Sequence, residues 1–258
     1  MIYKVIVLIF ICFMIVYMSF KAFHDTINYK TIHDERLPPR FDHFRIFFIS
    51  DVHRRNIKEA TLNSITQPID AVIIGGDLTE KGVPIERTIN NIKKLKRWNA
   101  PVYFVWGNND YEEKPDKINA MLLQENVTIL ANSNKNIIRD GQTISIMGLD
   151  CCTYREARFD LAEKGANGDY CILITHNPRP FDELTSATQE KIHTVLSGHT
   201  HGGQIRIFGF GPYERGKLQK TGNTNKLVSE GYGYTSVPFR IGTNSECHVI
   251  TFSDKPKS

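Results

Sequence analysis

Thr194-Val195-Leu196-Ser197-Gly198-His199-Thr200-His201-Gly202-Gly203-Gln204 is an apolar run that empties into a tight, glycine-rich turn carrying two imidazoles. In an extended segment residues i and i+2 face the same side. His199 and His201 therefore aim at one region of space, while small neighbours let the backbone close around it. Neutral imidazole is the commonest metal ligand. One His-x-His turn carries little weight by itself, since ordinary surface turns hold such pairs. The fold is decided by the recurrence of the same arrangement along the chain.

Working outward, Tyr170-Cys171-Ile172-Leu173-Ile174-Thr175 delivers His176 to its end, ahead of Asn177-Pro178. Residues 44–49 run into Ser50-Asp51-Val52-His53, Ala71-Val72-Ile73-Ile74 into Gly75-Gly76-Asp77, and residues 102–106 into Gly107-Asn108-Asn109-Asp110. Helical patterns lie between them, around 57–65 and over 85–98, where Pro84 sets the start and Ile85, Ile89, Ile92 and Leu95 recur at spacings of three and four. A further helix is read over 114–123. Short buried strands alternating with helices predict an α/β fold with parallel pairing, in which ligand sites gather at the carboxyl ends of the strands. From 127 to 149 the pattern changes to shorter strands, 127–130, 136–139 and 143–149, separated by polar turns, and predicts antiparallel hairpins. Residues 226–229, 239–241 and 248–252 read as closing strands, and 254–258 as a frayed end.

With 258 residues, 41% of them hydrophobic and 23% charged, the chain has globular composition and length for one large domain or two small ones. The formal charge of +4 is mildly basic. Its densest basic cluster, Lys93-Lys94-Leu95-Lys96-Arg97, lies on a helical pattern and reads as a solvated face, so no nucleic-acid partner is expected. The five cysteines include the adjacent pair Cys151-Cys152 and no C-x-x-C. Neither a disulfide framework nor a thiolate zinc site is signalled, and reduced, packed thiols are expected.

Residues 5–20 are almost wholly apolar between Lys4 and Lys21. This is membrane-inserting material, slightly short of a full span but extended by Ile2, Tyr3 and the snorkelling lysines. Its exit, Met18-Ser19-Phe20-Lys21-Ala22-Phe23, lacks a small-residue cleavage site, which favours an uncleaved anchor. The organisation read from the sequence is an anchor over 1–22, a polar linker over 23–40 ending in Pro38-Pro39, and a catalytic domain over 41–254. Lys21, Lys30, Arg36 and Arg40 outnumber Lys4 and the amino terminus across the span, and the unpaired cysteines agree. Both point to a single-pass protein of the cell membrane with its domain in the cytoplasm.

The strand-end residues Asp51, His53, Asp77, Asn108, His176, His199 and His201 are all oxygen or nitrogen donors. One divalent ion rarely takes so many protein ligands and keeps an open site, whereas two ions about 3.5 to 4 Å apart share them through a bridging carboxylate. Imidazole, carboxylate and amide without thiolate suit Mn, Fe or Zn.

The ordered blocks Asp51-x-His53, Gly75-Gly76-Asp77, Gly107-Asn108-Asn109-Asp110, His176 and Gly198-His199-Thr200-His201 resemble the calcineurin-like metallophosphoesterase superfamily over roughly residues 45–252. Gly202-Gly203-Gln204 and the anchor make the chain similar to the bacterial membrane-associated branch linked to hydrolases of UDP-diacylglucosamine. The resemblance implies that Asp51, His53 and His201 bind one ion, that Asn108, His176 and His199 bind the other, and that Asp77 bridges. It also implies a four-layer αββα sandwich of two mixed sheets flanked by helices, and hydrolysis of a phosphomonoester, phosphodiester or pyrophosphate bond by a hydroxide the ions share.

The chain departs from the family pattern at Asn109, where members commonly carry a histidine acting on the departing oxygen. An amide donates a hydrogen bond but transfers no proton at neutral pH. Asn109 is therefore read as a catalytic donor to a good leaving group, and Asp110 as a cap for the following turn. Arg54 and Arg55, directly after His53, are read as clamps for a substrate phosphate. The anchor favours a lipid-linked substrate. Two rival readings are a catalytically idle metal-binding scaffold, which Asn109 makes conceivable, and a nucleic-acid or nucleotide phosphodiesterase, which would want a basic groove with aromatic platforms.

Overall fold

The computed structural model describes residues 1–256; Lys257 and Ser258, the end of the stretch read as frayed, lie outside it. In chain order the strands are β1 (Asp25–His33), β2 (Arg45–Ile49), β3 (Ala71–Ile74), β4 (Val102–Phe104), β5 (Thr128–Ile129), β6 (Ser133–Arg139), β7 (Gln142–Gly148), β8 (Tyr170–Ile174), β9 (Thr194–Ser197), β10 (Lys217–Thr221), β11 (Thr224–Val228) and β12 (Ser245–Ser253). The helices are α1 (Ile2–Phe23), α2 (Glu59–Asn63), α3 (Ile85–Leu95), α4 (Asn108–Glu112), α5 (Pro115–Gln124), α6 (Phe159–Glu163), α7 (Arg179–Asp182) and α8 (Ser186–Gln189).

Two mixed sheets result, ordered β1-β12-β2-β3-β4-β5 and β10-β11-β9-β8-β7-β6. Within them β2, β3, β4 and β5 run parallel, as do β7, β8, β9 and β11. The inner strands β2, β3, β4, β8 and β9 read as largely apolar runs because both of their faces are buried. Ile46, Phe48, Ile73 and Tyr103 face the other sheet's Ile144, Ile172, Ile174 and Leu196 in the central core. The alternate residues Phe47, Ile49, Val72, Ile74 and Phe104 turn outward to meet Ile92, Leu95 and Leu122 of α3 and α5. On the opposite side Met147, Leu173 and Val195 pack under Phe159, Phe181 and Ile192. Helix, sheet, sheet and helix form the four expected layers.

Several elements differ from the sequence reading. Residues 23–40 are not a linker. β1 pairs with β12 in parallel along nine residues, from Asp25↔Ser245 to His33↔Ser253, and Ile32, Leu37 and Phe41 are buried in the central core. The stretch reads as polar because an edge strand keeps one face in water. β5 joins β4 in parallel, whereas only β6 and β7 form the expected hairpin. Residues 239–241 make no strand; Ile241 forms a lone bridge with Ile205. The β10–β11 hairpin went unread because β10 is largely solvent-facing. All five cysteines are free, but Cys12 and Cys152 are exposed rather than packed.

α1 is long and apolar enough to cross a membrane; 22 residues at about 1.5 Å each give about 33 Å. Only its last turns touch the domain. Ala22 is buried, the Met18 carbonyl accepts from Arg240 N–H at 3.0 Å, and Lys21 Nζ donates to Asn244 Oδ1 at 2.7 Å.

Candidate metal centre

The parallel strands of both sheets end at one edge. The turns after β2, β3 and β4 bring Asp51, His53, Asp77 and Asn108 there, and those after β8 and β9 bring His176, His199 and His201. The turns after β2, β3 and β9 reverse sharply: Asp51, His53, Asp77, His199 and His201 have φ of 55, 51, 50, 70 and 49°, in the left-handed region L-residues avoid. Backbone bonds between the turns enforce this, with Asp51 N–H donating to Gly76 O at 2.9 Å, His53 N–H to Asp77 O at 3.1 Å and Gly198 N–H to His176 O at 2.9 Å. Gly198 and Gly107 leave room for the carboxylates. A Cβ on Gly198 would stand 2.3 Å from Asp51 Oδ2, and one on Gly107 2.1 Å from Asp77 Oδ1.

The donor atoms converge. His53 Nε2 and His201 Nε2 face each other at 3.1 Å, and His199 Nδ1 faces His176 Nε2 at 3.3 Å. Asp77 Oδ2 lies between the two pairs, 3.2 Å from His176 Nε2 and 3.7 Å from His53 Nε2. Asp51 Oδ1 is 3.4 Å from His201 Nε2. Ligand atoms of Asp51, His53 and His201, and of Asp51, Asp77 and His176, lie within 4.8 Å of one another. Asn108 Oδ1 is buried without a partner. A buried orphan acceptor beside paired, facing imidazoles fits cations as the missing partners.

The charges agree. Burial alone would depress His176, but the Asp77 carboxylate, with Asp51 behind it, lifts its imidazole to about 10. Burial drives His201 down to about 3, and the neighbouring His53 and Arg240 assist. Burial opposes ionisation of Asp77 too, yet His176 and His53 hold it well below the ordinary carboxylate range. Imidazole and carboxylate thus offset one another's burial in this cluster, a balance of charge that a bound cation could also supply.

The structure also finds supports the sequence did not reveal. Glu80 Oε2 stands 3.0 Å from His53 Nδ1. The guanidinium of buried Arg240 reaches His201 Nδ1 at 3.1 Å and donates to the Glu230 and Gly233 carbonyls at 2.6 and 2.8 Å. His176 Nδ1 pairs with Gly75 O at 2.9 Å. No local spacing signals Arg240, 39 residues from His201. Glu80, three residues beyond Asp77, sits in no recognisable pattern.

Of the remaining expected residues, Asn109 lines the cleft, but its side-chain N–H donates to Asp77 Oδ2 at 2.7 Å and its backbone N–H to Asp77 Oδ1 at 2.8 Å. Asp110 caps α4, accepting from Gly107 N–H and Thr79 N–H, each at 3.0 Å. Burial and Asp77 push its carboxyl up to about 7. Arg54 is half exposed and held by Glu80. Arg55 points away from the site and cannot serve as a phosphate clamp. Its guanidinium is buried against Asp25 Oδ1 at 2.6 Å, Ser245 Oγ at 2.6 Å and the Tyr232 carbonyl at 2.9 Å, and lies 4.3 Å from the Tyr232 ring centroid. The chain turns at His53 and Arg54, closed by Arg55 N–H donating to Val52 O at 3.0 Å, and this turn buries Val52 and Arg55, which a reading of adjacency alone could not see.

A cleft of about 240 Å³ opens over the donors, walled by His53, Asp77, Asn108, His199, His201 and Tyr213. Two sheets that pool nitrogen and oxygen donors at one edge, without thiolate, define a metal-dependent hydrolase of the dinuclear kind. The chain belongs to the calcineurin-like phosphoesterase family, whose model matches residues 44–203. It is 42% identical over 212 residues to the uncharacterized protein YpbG of Bacillus subtilis, covering 80% of each chain. It is 30% identical over 248 residues to a transmembrane protein with metallophosphoesterase domain from Bos taurus, covering 86% of this chain and 55% of that protein. Among solved structures, the 5′-nucleotidase precursor from Thermus thermophilus superposes with a TM-score of 0.50 at 11% identity, over 81% of this chain and 54% of that one, a likeness of fold alone.

Proposed function

We propose that this metal-dependent phosphoester hydrolase is anchored by α1 and acts on a phosphate ester borne by a membrane lipid. The observation that carries the reading is the Asp77 carboxylate, set between two facing imidazole pairs under a cleft at the same edge of the molecule. Asp51, His53 and His201 would hold one divalent ion, Asn108, His176 and His199 a second, and Asp77 would bridge. The set favours Mn, Fe or Zn. Two such ions, held by these residues, would supply Lewis acidity to a water molecule and to the phosphoryl oxygens. Glu80 and Arg240 fix the ring orientations of His53 and His201, and the Gly75 carbonyl that of His176. Asn109 holds Asp77 with one amide hydrogen and keeps a second for the departing oxygen, so the enzyme favours leaving groups that need no proton. The free cysteines and the basic residues beyond α1 support a cytoplasmic domain.

The test uses the full chain in vesicles. Metal analysis should find two ions per chain, and bis-p-nitrophenyl phosphate should be hydrolysed with added Mn and not by Asp77→Asn. A panel of lipid pyrophosphates, headgroup diesters and free nucleotides should show preference for the lipids. Bound metal without turnover of any ester would favour the idle scaffold, and preference for nucleotides would remove the lipid assignment.

A further inference from the structure

Between the metal-ligand turn and β10 lies Ile205-Arg206-Ile207-Phe208-Gly209-Phe210-Gly211-Pro212. Ile207 and Phe210 exchange both backbone hydrogen bonds, each at 2.9 Å, and Phe208 and Gly209 both have positive φ, 51 and 85°. This is a two-residue turn of the type that closes a tight hairpin. The Arg206 guanidinium fastens it from within, donating to Gly202 O at 3.1 Å and to the carbonyls of Gly209 and Tyr213. Such a braced turn ordinarily displays polar residues. Here Phe208 is 96% exposed, Phe210 82% and Ile207 61%. Large aromatic rings held rigidly in water mark a surface with a partner.

The position of the turn identifies that partner. Arg206 N–H donates to Ile241 O at 2.8 Å, and the preceding residue of that segment, Arg240, donates to Met18 O of α1 at 3.0 Å. The turn is thus two backbone bonds from the point where α1 leaves the domain. Upstream of Met18 the helix runs with its apolar residues exposed, from Ile2 to Tyr17. With α1 read as an anchor, its exit sets the level of the bilayer surface, and the turn is tied to that exit by the Arg206–Ile241 and Arg240–Met18 backbone bonds. On its other flank the same loop continues into Pro212 and Tyr213, which wall the cleft over His53 and His201.

Resting on the reading of α1 as an anchor and of the centre as a phosphoesterase, we infer that the Phe208–Phe210 turn is a second membrane contact. Its rings enter the boundary between headgroups and acyl chains, where aromatic side chains are favoured. The mouth of the cleft then opens on the lipid surface and receives a phosphate ester whose apolar tail stays in the bilayer.

The test again uses the full chain in phosphatidylcholine and phosphatidylglycerol vesicles. In Phe208→Trp, the emission of the new indole should shift to the blue and lose about half its intensity with lipids brominated near the headgroup end of the acyl chain. Ile138→Trp, on the exposed β6 hairpin away from the catalytic edge, should be unaffected. In the double variant Phe208→Ser/Phe210→Ser, hydrolysis of soluble bis-p-nitrophenyl phosphate should stay within about twofold while turnover of the p-nitrophenyl ester of phosphatidic acid falls about tenfold. An unquenched indole in Phe208→Trp on floating vesicles, or equal rates of the double variant and the parent on both esters, overturns the inference. A chain that fails to float refutes the anchor and the second contact with it. Quenching in Phe208→Trp without hydrolysis of either ester upholds the contact and refutes the phosphoesterase reading alone.

Discussion

Replacing Arg55 by methionine separates two roles that the sequence leaves equivalent. Adjacent to His53, Arg55 is a natural candidate to grip phosphate; in the fold it instead ties β1 to the domain through Asp25, Ser245 and the Tyr232 carbonyl. Removing one member of a buried ion pair costs about 3 to 5 kcal/mol, because the other charge stays behind. Asp25 would keep Thr61 Oγ1 at 2.6 Å, the Tyr232 hydroxyl, and Lys58 Nζ at 3.5 Å, and a methionine thioether can fill part of the space over the Tyr232 ring that the guanidinium occupies. The lower end, about 3 kcal/mol, is therefore expected. For a folded unit of this size that is a fall in Tm of about 6 to 12 °C. Thermal unfolding of the full chain in nanodiscs, followed by Trp98 and Trp106 fluorescence, measures it. Adding Asp25→Asn should recover a large part of the loss. Turnover of bis-p-nitrophenyl phosphate well below Tm should be unchanged. An unaltered Tm with kcat/KM reduced about tenfold or more would show Arg55 to be a substrate ligand after all.

Glu80→Gln should weaken Mn binding by about 10- to 100-fold, since it removes the negative charge 3.0 Å from His53 Nδ1; calorimetric titration reads this, and unchanged affinity removes Glu80 from the support of the centre. Asn109→Ala should reduce kcat/KM about tenfold on an alkyl phosphodiester and less on a p-nitrophenyl ester, whereas equal loss on both would assign Asn109 to holding Asp77 alone. Away from the centre, burial and Arg36 push the His193 imidazole down to about 4 from an ordinary 6.5, and its Nδ1 accepts from Cys171 N–H at 3.0 Å. The unfolded ring takes up its proton first as pH falls, so this contribution is complete above the unfolded value and lost between about 6.5 and 4. Discounted for partial exposure it amounts to about 1 to 2 kcal/mol, and denaturant titrations of His193→Gln should show a correspondingly shallower acid dependence.

What the sequence made legible follows from where the information is local. Each of β2, β3, β4, β8 and β9 is short, largely apolar and followed by glycine or polar donors, so Asp51, Asp77, Asn108, His176 and His199 announce themselves near strand ends. Pairing between distant segments leaves no such mark. β1 reads as a polar link because its partner, β12, lies more than 200 residues away and only one of its faces is covered. Arg240 and Glu80 approach His201 and His53 from other elements, and the inward turn of Arg55 depends on Asp25, a residue of the strand that was not foreseen. Even Asn109, visible as a departure from its family, required coordinates to reveal its two bonds to Asp77.

The placement of β1 has a practical consequence for any attempt to separate the folded unit from α1. A truncation at residue 41 would strip the outer strand and leave β12 with a long row of unsatisfied amides and carbonyls, a template for edge-to-edge aggregation. Cutting just ahead of Asp25 keeps that border covered, and soluble protein should come from the second boundary and not the first.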